Sequence, residues 1–221
     1  VGVFDPIPLI AFAGGLLAVA CTYVLAGAGG RRMGTATLLL AGIAMASFFT
    51  ALQTYVQQRE SETLREVYSW ILGSLTTAGW SEVLLLLPYA VATTAVLLWF
   101  APVLDVMAVG DDEARSLGID PERIRRIVLA AASLAAAAAV AVSGLIGFIG
   151  LVVPHAVRGV AGASNRSVLV LSLLFGGAFL ALMDLLARTA TSPAELPIGV
   201  LTAFIGAPFF LWILRTRSVG A

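Results

Sequence analysis

The sequence GLIGFIGLVVPHAVR, residues 144–158, decides the fold, because it is too apolar for a surface loop and too rich in glycine for one regular helix. Glycine lets a chain turn and lets two backbones approach closely. The glycines recur at every third residue: Gly144, Gly147 and Gly150. We therefore predict that one long helix ends near Ser143 and that a short helix follows from about 148 to 160.

The length of the predicted short helix limits where the backbone next to it can lie in a membrane. At a rise of roughly 1.5 Å per residue it is about 20 Å long, which is less than the roughly 30 Å hydrocarbon core of a bilayer. Non-helical backbone at membrane depth is tolerated only inside protein or beside a water-filled cavity. The glycine-rich elbow should therefore be packed among other helices.

Composition places the whole chain among polytopic membrane proteins. The sequence is 60% hydrophobic and 12% charged, and its mean hydropathy is +0.99. All 13 basic residues are arginine. A P-loop needs a lysine to contact the nucleotide phosphates, so this sequence has no P-loop of its own. Any ATP-driven function would require a partner subunit.

Apolar runs predict an all-α fold with about seven membrane helices, of which the one after the elbow is short and broken. In chain order the predicted helices are 7–30, 34–57, 83–104, 121–143, 148–160, 168–190 and 198–214.

The second predicted helix carries a polar stripe at steps of three and four residues, which places its members on one face. The stripe consists of Ser47, Thr50, Thr54 and Gln57. One interpretation is that these side chains line a transport pathway. The other is that they join neighbouring helices, as small hydroxyl residues commonly do in membranes.

Residues 105–121 are the long polar segment of the chain and should be ordered. We expect a short helix with Asp111 or Asp112 as its N-cap and Gly118 at its end. Its apolar face would be formed by Ala114 and Leu117, three residues apart. Asp112, Glu113 and Arg115 would surround that face with charge. The segment could be a docking element or a solvated loop, and the residues alone do not decide between these two interpretations.

Few side chains offer chemistry, and no catalytic motif such as HExxH or GxSxG is present. His155 follows Pro154 and stands alone, so we predict a hydrogen-bonded structural residue and no metal site. Asp184 and Arg188 are four residues apart on one helix and should form a structural ion pair. Enzyme chemistry is not expected.

Arginines in alternate loops predict the orientation by the positive-inside rule. Ten lie on one side: Arg31, Arg32, Arg115, Arg123, Arg125, Arg126, Arg158, Arg166, Arg215 and Arg217. The other side has three: Arg59, Arg65 and Arg188. The first side should be cytoplasmic, with residue 1 outside and the C-terminus inside.

Two function classes fit such a chain: a permease driven by a separate ATPase, and a self-sufficient secondary transporter or channel. Ion-coupled carriers usually place ionisable groups at mid-membrane, and no predicted span does so. A structured cytosolic segment favours the driven permease.

Residues 144–158 also resemble the GxIGFxGLxxPHxxR signature of the permease subunits of ABC importers for iron-siderophores, haem and vitamin B12. Three further stretches agree in order with that family: WILGSLTTAGW at 70–80, GDDEARSLGI at 110–119, and the tail from 184 to 217. The resemblance includes Arg158 and the Pro154-His155 pair, without implying a catalytic role for either. It covers nearly the whole chain from about residue 38.

The resemblance implies a single permease domain over 1–221 in which the helix bearing the polar stripe borders the channel and 105–121 couples to an ATPase. Members have about ten membrane helices, so we expect the first three to be missing here. Two permease copies, two cytosolic ATP-binding subunits and an extracytoplasmic substrate-binding protein would assemble in the lipid bilayer of a bacterial plasma membrane. We expect no cofactor in this chain and no nucleic-acid partner. The expected substrate is an Fe(III)-siderophore, with haem or cobalamin as alternatives.

Overall fold

A computed structural model describes residues 7–27, 35–59, 64–76, 78–190 and 196–218. Within these ranges the ordered elements are helices, with turns between them and no strand. In chain order they are α1 (Ile7–Gly27), α2 (Thr35–Arg59), α3 (Leu64–Ile71), α4 (Trp80–Met107), α5 (Asp111–Ser116), α6 (Pro121–Ser143), α7 (Ile149–Ala161), α8 (Asn165–Thr189) and α9 (Ile198–Ser218).

The predicted all-α membrane fold is confirmed. Five helices, α1, α2, α4, α6 and α8, are long and apolar enough to cross a membrane, and α7 and α9 contain shorter apolar stretches. Predicted and observed bounds differ by a few residues at most helix ends. The short helix, predicted at 148–160, runs from Ile149 to Ala161.

Part of the predicted topology lies outside the described residues. This applies to residue 1 and to Arg31 and Arg32, which contributed to the arginine count. The side chains of Arg65 and Arg217 lie outside the description as well.

Helix α6 lies at the centre of the bundle, packed against α1 on one side and α4 on the other. Its buried residues are mostly alanines: Ala131, Ala137, Ala138 and Ala141. A Cβ on Gly15 of α1 would lie 3.3 Å from the Cβ of Ala137. Small residues on both helices therefore let the two backbones approach closely, which replaces the hydrophobic driving force that lipid does not supply.

The remaining helices complete the bundle around this centre. Helix α2 packs against α1, while α8 contacts α4, α7 and α9. Helices α6 and α8 run away from α5, and α4 and α7 run towards it. We therefore call the two ends of the bundle the α5 end and the elbow end, the latter being where α6 turns into α7.

Three chain segments meet at the elbow end through their backbones. The Ser74 amide donates to the Ser143 carbonyl (3.0 Å), and the Gly199 amide donates to the Leu72 carbonyl (3.1 Å). These bonds connect the turn before α4, the end of α6 and the start of α9. The start of the elbow, at Ser143 and Gly144, is thus packed among protein segments, as its expected depth in the membrane requires, whereas Leu145 and Gly147 are exposed.

Glycine is required at this junction for steric reasons. Gly144 is buried and has φ +69° and ψ −165°, a region of backbone space that only glycine occupies readily. A Cβ there would lie 3.0 Å from the Cα of Gly73 and would overlap the Trp70 carbonyl oxygen. A Cβ on Gly199 would lie 2.7 Å from the Leu145 carbonyl oxygen. We call Gly73, Gly144 and Gly199 the glycine junction.

The other two glycines of the repeat behave differently from the prediction. Gly147 and Gly150 are exposed, have no positive φ, and a Cβ on either would meet open space. Among the three glycines, close approach to another described segment therefore accounts for Gly144 alone.

Helix α7 begins at a residue with unusual backbone geometry. Phe148 is its N-cap and adopts a left-handed conformation at φ +66°, which is uncommon for a non-glycine residue. Its side chain lies against Gly206 of α9, where any Cβ would overlap it. Packing on α9 therefore stabilises the turn that starts α7.

Replacing Gly144 with alanine should destabilise the protein by about 1–3 kcal/mol from backbone strain alone, because alanine rarely adopts this conformation. The overlap with the Trp70 carbonyl adds to that cost. Gly150→Ala is the matched control and should be neutral or slightly stabilising, since it adds a methyl in open space within a helix. Thermal unfolding of both variants in detergent measures the difference, and equal melting temperatures would contradict the junction.

Candidate functional site: an anchored helix at one end of the bundle

The predicted short helix in the polar segment exists and ends as a Schellman motif. The Ile119 amide donates to the Ala114 carbonyl (3.0 Å), and the Gly118 amide donates to the Arg115 carbonyl (2.9 Å). Gly118 has φ +78°, the left-handed conformation that this motif requires after the last helical turn. The sequence predicted this end correctly.

The beginning of α5 differs from the prediction. The N-cap is Gly110, and no side chain makes a cap hydrogen bond there, so neither Asp111 nor Asp112 is the cap. Both acids lie in the first turn. The Asp111 carboxylate instead forms a salt bridge with Arg125 of α6, at 3.1 Å, and both side chains are partly buried. Asp111 therefore attaches α5 to α6 and does not cap the N-terminus of α5.

The next helix begins as the sequence predicted. The Asp120 carboxylate accepts hydrogen bonds from the amides of Glu122 (3.1 Å) and Arg123 (3.2 Å), with Pro121 in the first turn. This is a local cap, and it defines where the polar segment gives way to the long helix α6.

Of the two residues predicted to form the apolar face of α5, one is buried and the other is exposed. Ala114 is 0% exposed, so it packs within this chain and cannot contact a partner. Leu117 is 68% exposed. The reason is that Leu117 is the C-cap, at φ −89° and ψ 8°, so the helical spacing of three no longer places it over Ala114. The prediction that both residues face outward was wrong for Ala114.

The outward surface of α5 is polar around that leucine. Arg115 pairs with Asp112 at 2.9 Å along the exposed side of the helix, and Glu113 is also exposed. An isolated surface pair of this kind contributes little to stability. The outward surface of α5 therefore presents one apolar side chain, Leu117, surrounded by acidic and basic side chains. The helix that carries it is attached to α6.

A second connection at the α5 end was missed by sequence reasoning. Asp105, near the end of α4, accepts the Asn165 amide at 2.8 Å and the Ser164 hydroxyl at 3.4 Å. Arg158 donates to the Asn165 side-chain oxygen at 2.7 Å and to the Ala163 carbonyl at 3.3 Å. The signal in the sequence was a lone acid in the last turn of an apolar helix.

The remaining residues of the signature lie along α7. Pro154 and His155 are half-buried within that helix. The hydrogen bond predicted for His155 is absent among the described residues. No group of histidine, cysteine or acidic residues suited to a metal ion occurs in the described part of the chain.

The predicted ion pair at the elbow end is confirmed. The Arg188 Nε donates to Asp184 at 2.9 Å, and another nitrogen of the same guanidinium donates to the Leu75 carbonyl at 3.4 Å. The arginine thus joins α8 to the turn before α4, beside the glycine junction. This supports a structural role for the pair.

The polar stripe lies on α2, away from α5. Ser47, Thr50 and Thr54 are exposed. The hydroxyls of Ser47 and Thr54 donate to carbonyls of their own helix, those of Ile43 (3.0 Å) and Thr50 (2.9 Å). Gln57 is half-buried, and its amide nitrogen has no partner among the described residues. The stripe therefore makes no hydrogen bond to a second described helix, and the pathway interpretation stays a prediction.

These features define a helical membrane protein whose spans are joined at one end by a glycine junction and carry an anchored polar helix at the other. The chain belongs to the FecCD transport family, whose sequence profile matches residues 3–216.

Similar proteins agree with this assignment. The chain is 44% identical over 212 residues to the cobalamin import system permease protein BtuC of Halobacterium salinarum, covering 96% of this chain and 56% of that protein. It is 37% identical over 208 residues to the Fe(3+) dicitrate transport system permease protein FecD of Escherichia coli, covering 94% of this chain and 64% of that protein. It is 40% identical over 187 residues to the hemin transport system permease protein HmuU of Yersinia pestis, covering 83% and 55%.

The fold is similar to a solved structure described as an inward-facing conformation of a candidate metal-chelate type ABC transporter. The TM-score is 0.82 at 28% identity, over 93% of this chain and 72% of that one. The chain spans less than two thirds of the length of the three permeases named above.

If the stripe lines a wet pathway, cysteines placed at Ser47, Thr50 and Thr54 should react with a membrane-impermeant thiol reagent. The reason is that a thiol reacts as the thiolate, which needs water to form. Cysteines at Phe48 and Leu52 are the matched controls from other faces of α2 and should stay unmodified. Mass spectrometry of each variant in the membrane-embedded protein measures the labelling, and uniform protection of the stripe would favour the helix-joining interpretation.

Proposed function

We propose that this chain is the membrane-spanning permease subunit of an ABC importer. The observation that carries the proposal is the anchored helix α5 of a FecCD family member, which ends in a Schellman motif and is attached to α6 by the Asp111–Arg125 pair. A soluble motor can move membrane helices only through a rigid element outside the membrane. Helix α5 has the rigidity and the exposed apolar residue that such a contact needs.

The energy would come from ATP hydrolysed by a different subunit. The sequence contains no lysine and therefore no P-loop. We propose that two cytosolic ATP-binding subunits dock at the α5 end, that a second permease copy completes the channel, and that a substrate-binding protein docks at the elbow end. This chain would need no cofactor of its own and would perform no enzymatic step.

The arginine distribution supports a cytoplasmic α5 end. Among residues whose side chains the structure describes, seven arginines lie at or near the α5 end: Arg115, Arg123, Arg125, Arg126, Arg158, Arg166 and Arg215. Two lie at the elbow end: Arg59 and Arg188. By the positive-inside rule we propose a plasma membrane protein with the α5 end and the C-terminus in the cytoplasm.

We propose a bulky metal chelate as the substrate class. The named relatives include permeases for cobalamin, Fe(3+) dicitrate and hemin, and the similar solved structure is described as metal-chelate type. The ferric siderophore expected from the sequence is one member of this class.

Transport by proteoliposomes tests the function. The chain, in its full-length context, is reconstituted with a cognate ATPase and substrate-binding protein, and uptake of labelled cobalamin, ferric siderophore and haem is measured. We expect uptake of one ligand that requires ATP and is unaffected by ionophores. Uptake that follows an ion gradient without ATP would overturn the proposal in favour of a secondary transporter.

If α5 contacts the ATPase, a single charge placed at Leu117 should disrupt that contact. Leu117→Asp should uncouple transport from ATP hydrolysis or release the ATPase on purification, because it places a carboxylate where an apolar side chain is expected to be buried. Val160→Asp is the matched control, since it makes the same kind of change at an exposed residue in the last turn of α7. Co-purification and uptake are measured for both.

Membrane insertion should be normal in both variants, as gel filtration in detergent will show. If Leu117→Asp retains its ATPase and full transport, the ATPase contact lies elsewhere on the α5 end.

A further inference from the structure

Helix α8 begins with a cap that comes from another helix. Its own N-cap residue, Ser164, makes no side-chain cap bond. The amide of Asn165 is satisfied by Asp105 of α4, at 2.8 Å and 60 positions away in the sequence. The Ser164 hydroxyl, which could have capped the helix locally, donates to the same carboxylate at 3.4 Å. A bond that is usually local therefore joins two helices here.

The connection continues from α8 to α7. The side-chain oxygen of Asn165 accepts a hydrogen bond from Arg158 at 2.7 Å, and Arg158 also donates to the Ala163 carbonyl at 3.3 Å. These bonds fix the turn between α7 and α8, residues 162–164. Asp105, half-buried at the end of α4, is the acceptor that links this fixed turn to α4.

Asp105 also lies close to α5 along the chain. Helix α4 ends at Met107 and α5 begins at Asp111, after a turn of three residues in which the Ala108 and Val109 amides return to α4 carbonyls. Helix α5 packs against α4 and α6. A displacement of α5 would therefore act on the end of α4 that carries Asp105.

We propose that Asp105 is a positioning residue that makes α5 and the turn 162–164 move as one body. A displacement of α5 then reaches the short helix α7 and, through it, the elbow at Gly144. Because α7 is too short to span the membrane, a shift at its end displaces the elbow without having to slide a full-length helix past its neighbours. That an ATPase displaces α5 rests on the proposed function, whereas the link that Asp105 makes between α5 and the turn 162–164 does not.

Distances between spin labels test the link without any partner protein. Labels are placed at Ser116→Cys in α5 and Val160→Cys in α7, both exposed, in a background where Cys21 is replaced by alanine. The parent protein in lipid nanodiscs should give one narrow distance distribution. Asp105→Ala should broaden or split it, and Asp105→Asn, which keeps an acceptor oxygen, should have a smaller effect.

The control removes a carboxylate from the same end of the bundle. Glu122 is exposed, and its side chain makes no hydrogen bond or ion pair with a described residue. Glu122→Gln should leave the distance distribution as it is in the parent. A distribution for Asp105→Ala that matches this control would overturn the link, and if the alanine variant fails to insert, the same comparison is decided with Asp105→Asn.

Transport stoichiometry tests the positioning role. In the assembled importer, Asp105→Ala should keep its ATPase while substrate moved per ATP falls by about 2- to 30-fold, the range that positioning mutations produce in coupled proteins. Broadened distances with unchanged stoichiometry would overturn that role. If no variant, the parent included, transports with ATP, the proposed function fails, and the distance comparison alone then decides whether the link exists.

Discussion

The glycine junction is the interaction on which the rest of the structure depends. Gly144 lies where any side chain would overlap the Trp70 carbonyl and approach Gly73 to within 3.0 Å. Backbone at membrane depth must find its hydrogen bonds within the protein. The junction provides them across segments, through the Ser74 and Gly199 amides. Without this close approach the chain could not leave α6 and enter the short helix α7 inside a membrane.

The opposite end of the bundle is organised by charge and caps, not by close backbone contact. Asp111 attaches α5 to α6, and Asp105 attaches α4 to the start of α8. Helix α7 connects the two ends, since it starts at the junction and finishes beside the turn that Asp105 holds. The structure therefore combines an elbow at one end with an anchored helix at the other, joined by the short helix α7.

Local features were predictable from the sequence, and contacts between distant residues were not. The Asp120 cap, the Gly118 end of α5 and the Asp184–Arg188 pair each lie within one or two turns, so spacing alone predicts them. The Asp111–Arg125 and Asp105–Asn165 bonds join residues 14 and 60 positions apart, and no periodicity indicates them. Ala114 and Leu117 were misjudged because helical spacing was applied beyond the end of a six-residue helix. Likewise, the glycine repeat indicated a turn without showing that only Gly144 is packed against another backbone.

Hydrogen exchange at single amides in the nanodisc-embedded protein tests the junction most directly. Ser74 lies in the turn before α4 and Gly199 in the first turn of α9, but both donate across segments, so their amides should exchange as slowly as those in the middle of α6. The Gly147 amide lies in the same elbow, has no partner among the described residues, and should exchange fast. Fast exchange at Ser74 and Gly199, equal to that at Gly147, would show that the three segments are not joined and would contradict the account.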